Sequence, residues 1–102
     1  MADLDIEEYD KLHNVNARGT VLFTRGVSKA MIDQEERIVP NRNGPRGVGR
    51  GSIVNVASAF GYIASAGRLP YVAAKHAVMG IVKASGMSTL IPGPGHFRCL
   101  AA

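Results

Sequence analysis

The stretch GSIVNVASAFGYIASAGRLPYVAAKHAVMGIVKA, residues 51–84, carries the clearest pattern in this 102-residue chain. It opens with SIVNVA, residues 52–57, where β-branched side chains in a near-continuous apolar run predict a strand covered on both faces. A loop rich in Gly, Ser and Ala occupies residues 58–69. Pro70 suits the first turn of a helix, because its missing N–H is not needed there. We therefore predict a strand, a loop and a helix over residues 71–85.

Three polar side chains in this stretch indicate acid–base chemistry. Tyr71 and Lys75 are one helical turn apart and share a helix face, and Ser58 follows the predicted strand. A tyrosine phenol has an ordinary pKa of about 10, so it serves as a base only where a nearby cation stabilises the phenolate. The three groups suit hydride transfer on a carbonyl or alcohol, in which the protein moves the proton. The alternative to a catalytic role is an exposed tyrosine beside a lysine whose aliphatic carbons pack along the protein surface.

The chain upstream of this stretch favours a long helix. Residues 3–36 show apolar side chains at helical spacing, with Asp3 or Asp5 as the N-cap. Residues 14–19 include two asparagines and a glycine, which are poor in a helix interior and predict a kink or bulge. TVLFT, residues 20–24, could pass locally as a strand, but its flanks favour helix.

Residues 37–51, RIVPNRNGPRGVGRG, are predicted to form a solvated surface loop, because two prolines and four glycines interrupt any regular element. The glycines superficially resemble a phosphate-binding loop. Their spacing matches no such motif, and they precede the strand instead of following one.

The C-terminal residues show no period. Residues 87–102 contain two proline–glycine steps and are predicted to be an irregular tail. A buried strand needs hydrogen-bonding partners, and we find no second strand of comparable quality in the sequence. The chain is therefore expected to be an excerpt of a larger α/β domain, with two long helices flanking one clear strand.

The composition, with 46% hydrophobic and 20% charged residues, is typical of a soluble globular chain. No apolar run approaches the roughly 20 residues of a membrane span, and the acidic N-terminus is unlike a secretory signal. The single cysteine, Cys99, excludes a disulfide framework, and no Cys/His spacing indicates a metal site. We expect a reducing, cytoplasmic setting.

The net charge of +4 is unevenly distributed along the chain. Residues 1–36 hold all eight acidic residues and only four Lys/Arg, whereas residues 37–102 hold eight Lys/Arg and no acid. A basic half can indicate a nucleic-acid partner, but these charges are scattered and lack interleaved aromatic residues. We therefore expect neither a nucleic-acid nor a membrane partner.

Taken together, these segments resemble the short-chain dehydrogenase/reductase family. GSIVNVAS, the small-residue loop and YVAAKHAVMGIVKA are similar to that family's catalytic strand, loop and helix. EEYDKLHNVNARGTVLFTRGVSKAM is similar to its preceding long helix, so the resemblance covers about residues 5–85. It implies a fragment of a Rossmann-type doubly wound parallel sheet: a partial NAD(P)-binding domain over residues 1–86, with residues 37–51 as a loop insertion.

The resemblance also implies roles for four residues. Tyr71 would be the general acid/base, Ser58 would orient and polarise the substrate oxygen, and Lys75 would bind the nicotinamide ribose and favour the phenolate. Asn16 would hold a water that links the lysine to solvent. Asn16, Tyr71 and Lys75 would contact the cofactor, NAD or NADP, with NADP slightly favoured. For Asn16 alone, a helix-kink asparagine is an equal alternative.

The chain departs from the family in lacking its glycine-rich dinucleotide motif, T-G-x-x-x-G-x-G, and the N-A-G motif. We expect an NAD(P)-dependent oxidoreductase that interconverts a small secondary alcohol and a ketone, present as a truncated chain. The alternative is a catalytically inactive fragment or a partner that docks through its helices. A full-length relative is expected to be a homodimer or homotetramer that associates through its two long helices.

Overall fold

A computed structural model describes residues 1–88 and 98–102. The elements in chain order are α1 (Ile6–His13), a π-helical segment (Asn14–Arg18), α2 (Gly19–Ile32), β1 (Ile38–Val39), β2 (Arg46–Gly47), β3 (Ser52–Asn55), a 3₁₀ turn (Ala59–Gly61), α3 (Leu69–Ser88) and β4 (Arg98–Ala101).

The long N-terminal helix begins at a capped aspartate. The carboxylate of Asp5 accepts hydrogen bonds from the backbone N–H groups of Glu7 at 2.9 Å and Glu8 at 3.3 Å. Both glutamates lie in the first turn, where the helix dipole favours negative charge. The predicted helix is confirmed between residues 6 and 32, with Asp5 as its cap, and residues 20–24 are helical.

A widened turn interrupts this helix where the sequence predicted a kink. In the π-helical segment Asn14–Arg18, the N–H of Gly19 donates to the carbonyl of Asn14, five residues earlier. The α-helical pattern joins residues four apart, so the extra residue bulges the helix. The prediction of a bulge over residues 14–19 is confirmed.

The segment between α2 and β3 contains a short hairpin. Ile38 lies opposite Gly47 and Val39 opposite Arg46 in an antiparallel pair of strands. The prediction that residues 37–51 form only a loop is therefore wrong over these four residues. The strands are too short and too interrupted by proline and glycine for a period-two pattern to reveal them.

β3 pairs in parallel with β4, and α3 lies between them in sequence. Ser52 lies opposite Arg98 and Asn55 opposite Ala101. The expectations of a lone strand and of an irregular tail are both wrong over residues 98–101, where β4 provides hydrogen-bonding partners along one edge of β3. Residues 89–97 of the predicted tail lie outside the described residues.

The core lies on one face of this strand pair. Ile53 of β3 and Cys99 of β4 pack against Val78 and Val82 of α3. Val54, on the opposite face of β3, is 56% exposed. The prediction of a strand covered on both faces is therefore wrong for the part of the chain that the structure describes.

Helix α3 begins at Leu69 with Pro70 in its first turn, as predicted, and it continues to Ser88, three residues further than expected. None of the helices within residues 1–88 and 98–102 combines the length and the apolar composition that a bilayer span requires.

The thiol of Cys99 belongs to this core. The amide nitrogen of Asn55 lies 3.5 Å from its sulfur, in hydrogen-bonding distance. Burial raises the pKa of the Cys99 thiol, and hydrogen bonds with Asn55 and Ser85 partly oppose that rise. A protonated, covered thiol is a poor nucleophile, so Cys99 is a packing residue.

We expect Val78→Ala to lower the free energy of unfolding by about 2 kcal/mol, since it removes two buried methyl groups and leaves a cavity. Val78 is 1% exposed and lies at the centre of the core. Urea unfolding measures the effect. The matched change Val21→Ala, at an exposed position of α2, is expected to alter stability by no more than about 0.5 kcal/mol. Equal losses for both variants would contradict this core.

Candidate active site

The first turns of α3 place Tyr71 and Lys75 side by side. The ammonium nitrogen of Lys75 lies 5.6 Å from the centroid of the Tyr71 ring. The same nitrogen donates a hydrogen bond of 3.3 Å to the carbonyl oxygen of Val56, which directly follows β3. Lys75 thus links the helix to the carboxyl end of the strand, and the cation stands beside the tyrosine as the sequence predicted.

Ser58 lies two residues beyond Val56, at the start of the 3₁₀ turn. Its backbone is extended, and its hydroxyl oxygen accepts a hydrogen bond of 3.3 Å from the N–H of Phe60. The side chain therefore caps this turn, much as serine caps a helix. Its hydroxyl proton is not used in that contact, so it can still be donated to a ligand.

The turn packs closely on α3 because residue 61 is a glycine. A Cβ atom at Gly61 would lie 2.5 Å from Cγ of Met79 and 3.1 Å from the carbonyl oxygen of Lys75. Real Cβ atoms essentially never approach so closely, so no other residue fits here without displacing the turn or the helix. The absence of a side chain thus sets the distance between the Ser58 turn and the helix of Tyr71 and Lys75.

A second aromatic side chain supports Tyr71. The rings of Phe60 and Tyr71 meet edge to face, with centroids 5.9 Å apart and planes at 79°. The guanidinium carbon of Arg68 lies 5.7 Å from the Phe60 centroid. The sequence analysis missed Phe60 and Arg68, because no spacing rule distinguishes them from the other large or charged residues of this loop.

Asn16 lies in the π-helical segment, which packs against α3. Its side-chain amide donates to the carbonyl of Leu12 at 3.0 Å, and its own carbonyl accepts from the Thr20 hydroxyl at 2.5 Å. Within the described residues, no hydrogen bond joins Asn16 to Ser58, Tyr71 or Lys75. Its position in the bulge agrees with the helix-kink alternative, and its role in a proton relay stays a prediction.

A pocket of about 290 Å³ opens at the carboxyl ends of both parallel strands. Ser58 supplies its hydroxyl among otherwise mostly apolar side chains; the lining residues are Ala57, Ser58, Ala59, Tyr62, Met79, Ala101 and Ala102. In open α/β sheets, ligands bind beyond the carboxyl ends of the strands. The C-terminal end of β4 therefore forms one wall of the pocket, which the sequence analysis did not predict.

The site fits one end of a nicotinamide cofactor. An ammonium group has three N–H donors, and Lys75 uses one of them in its hydrogen bond to the carbonyl oxygen of Val56. The remaining donors and the Tyr71 hydroxyl suit the adjacent hydroxyl groups of a ribose. Residues 37–102 contain no carboxylate, so no acid of this half competes for the ammonium.

Fold and site together define an α/β protein with a tyrosine–lysine pair and a serine at the carboxyl end of a parallel strand. The sequence matches the short chain dehydrogenase family over residues 1–90. The chain belongs to this family of oxidoreductases, whose members generally use NAD(P) and have a Rossmann-type fold.

Curated relatives agree with that assignment. The short-chain dehydrogenase srdC of Neurospora crassa is 46% identical over 83 residues, which cover 81% of this chain and 30% of the relative. The short-chain dehydrogenase fogB of Aspergillus ruber is 41% identical over 93 residues, covering 91% and 34%. D-beta-hydroxybutyrate dehydrogenase of Rhizobium meliloti is 33% identical over 81 residues, covering 79% and 26%. The chain thus spans about a third or less of these relatives' lengths, and no solved structure matches it.

We expect Gly61→Ala to lower the free energy of unfolding by about 1–3 kcal/mol, because the added methyl group overlaps Met79 and the backbone of α3. Gly80→Ala is the matched control on the same helix, where an added Cβ meets nothing within 4 Å. It should stabilise the chain by up to about 1 kcal/mol through helix propensity. Urea unfolding of both variants tests the contact, and a Gly61→Ala protein as stable as Gly80→Ala would refute it.

Proposed function

We propose that this chain belongs to an NAD(P)-dependent oxidoreductase that interconverts a secondary alcohol and a ketone. The observation that carries the proposal is the position of Lys75, whose ammonium contacts both the Tyr71 ring and the carbonyl at the end of β3. A phenol beside a cation, on the helix against which the Ser58 turn packs, is equipped to move a proton at a substrate oxygen.

Each residue has a distinct part in this reaction. Tyr71 gives a proton to the oxygen of a ketone, or takes one from an alcohol, at its phenol oxygen. Ser58 donates a hydrogen bond to the same substrate oxygen and so orients it. Lys75 stabilises the negative charge left on the phenol oxygen. NAD(P) supplies or accepts the hydride when it is bound.

The packing around Tyr71 supports this division of labour. The edge contact with Phe60 restricts the tyrosine ring, and the Gly61 turn holds Ser58 against the same helix. A general acid works only where the reacting oxygen lies within hydrogen-bonding distance, so orientation matters as much as acidity.

A hybrid enzyme tests the role of Tyr71. Residues 5–85 would replace the matching segment of the Neurospora crassa relative, and activity would be followed by nicotinamide absorbance on a panel of ketones. We expect Tyr71→Phe to lower kcat/KM by about 10²–10⁴-fold, the usual contribution of a general acid or base. Tyr9→Phe, on α1, removes the same hydroxyl elsewhere and should leave activity unchanged. Full activity in the Tyr71→Phe hybrid would overturn the assignment.

Cofactor binding by the 102-residue chain itself is expected to be weak or undetectable. The sequence lacks the glycine-rich dinucleotide motif, and the residues present fit only the nicotinamide ribose. Fluorescence titration with NADH and NADPH measures this directly. Micromolar affinity for either cofactor would show that the chain forms a cofactor site by other means.

An alternative function is docking without catalysis. The exposed side chains of Leu22 and Phe23 lie seven and eight residues after the exposed Val15, as in an apolar helix stripe, and Phe23 is 60% exposed. Such an apolar stripe suits a second copy of the same helix, as expected for a homo-oligomeric relative. This candidate predicts self-association that Phe23→Ser weakens in sedimentation analysis, with no cofactor binding at any concentration.

A further inference from the structure

The hairpin formed by β1 and β2 separates its side chains by face. The backbone carbonyl of Arg37 accepts from the N–H of Val48 and its N–H donates to the carbonyl of Gly49, so Arg37 lies opposite both residues in a bulge, and Val39 lies opposite Arg46. Opposed residues share a face, and residues two apart along a strand share it as well. One face therefore carries Arg37, Val39, Arg46 and Val48, which we call the cationic face.

The carboxylate of Glu36, the residue before Arg37, lies on the other face of the hairpin. A Cβ atom built on Gly47 would overlap the carboxylate of Glu36. Gly47 lies opposite Ile38, so the two residues share a face of the hairpin. Glu36, two residues before Ile38, lies on that same face. The alternation of side chains thus places the Glu36 carboxylate away from the cationic face.

The cationic face is open and its charges are unpaired. All four of its residues are exposed, and Val48 is 47% exposed. Within residues 1–88 and 98–102, neither Arg37 nor Arg46 forms an ion pair. As diagonal neighbours across the ladder, their Cβ atoms lie about 7–8 Å apart. Arg42 adds a third exposed cation in the loop that joins the strands.

We propose that the cationic face docks on an anionic lipid surface. Arginines close to a membrane interact with acidic headgroups, and the interleaved valines can enter the headgroup boundary. Single-stranded nucleic acid is the weaker candidate, because its binding relies on aromatic stacking and residues 37–51 contain no aromatic side chain. This proposal departs from the sequence-based expectation of no membrane partner, and a hairpin that lies on a membrane needs no spanning helix.

The hairpin is separate from the candidate active site. It precedes β3, whereas Val56 and Ser58 follow that strand, so the two surfaces lie at opposite ends of β3. Lipid docking therefore neither uses nor requires the proposed oxidoreductase activity. Failure of the hybrid enzyme would leave the docking proposal intact, and the reverse also holds.

Vesicle co-sedimentation of the 102-residue chain tests the proposal. We expect the chain to bind phosphatidylcholine vesicles that contain about one-third phosphatidylserine and not to bind vesicles of pure phosphatidylcholine. The bound chain should dissociate as the salt concentration is raised. Arg37→Gln/Arg46→Gln should lower the partition coefficient about 30-fold, from about fivefold for each arginine. Both positions are exposed, so the fold should be unaffected, as circular dichroism can verify.

The double variant Arg18→Gln/Arg25→Gln is the matched control. It removes the same charge from two exposed positions of the N-terminal helix and should retain binding to the acidic vesicles. Equal weakening in the control would show that only net charge matters and would overturn the proposal. Equal binding to neutral vesicles, or no binding to acidic ones, would also overturn it. So would hairpin-dependent binding to a single-stranded oligonucleotide with no vesicle binding.

Discussion

Two parallel strands can pair only if a crossover returns the chain to the same end of the sheet, and helix α3 lies within that crossover here. One edge of β3 is hydrogen-bonded to β4, and the buried side of the pair is filled by Val78 and Val82. The same helix carries Tyr71 about two turns, and Lys75 about one turn, before Val78. The packing that stabilises the strand pair therefore also fixes the acid–base residues at its carboxyl end.

The sequence predicts well those features that depend on neighbouring residues. The cap at Asp5, the bulge at Asn14–Arg18 and the position of Pro70 in the first turn of α3 each follow from local backbone chemistry. The same is true of the proximity of Tyr71 and Lys75, because four residues on a helix return to one face. These features need no knowledge of the tertiary structure.

Features that depend on distant pairing could not be predicted. RCLA shows no alternation, and it becomes a strand only because β3 offers unpaired backbone groups more than forty residues earlier. The pocket wall at Ala101 and Ala102 depends on that pairing. Gly61 is one glycine among twelve in the sequence, and only its contact with Met79 and the carbonyl of Lys75 shows why a side chain is excluded.

The two ends of β3 carry opposite kinds of surface. The carboxyl end holds a pocket with Ser58 in its lining and, on the helix that follows, the pair of Tyr71 and Lys75. The amino end leads back to an exposed hairpin with arginines on one face. A strand of four residues spans roughly 13 Å, beyond the range at which unconnected side chains usually couple energetically. Charge changes on the ribbon should therefore leave the proton-transfer residues unperturbed. In the proposed docking, the hairpin would orient the chain while the pocket beyond the other end of β3 stays accessible to small molecules.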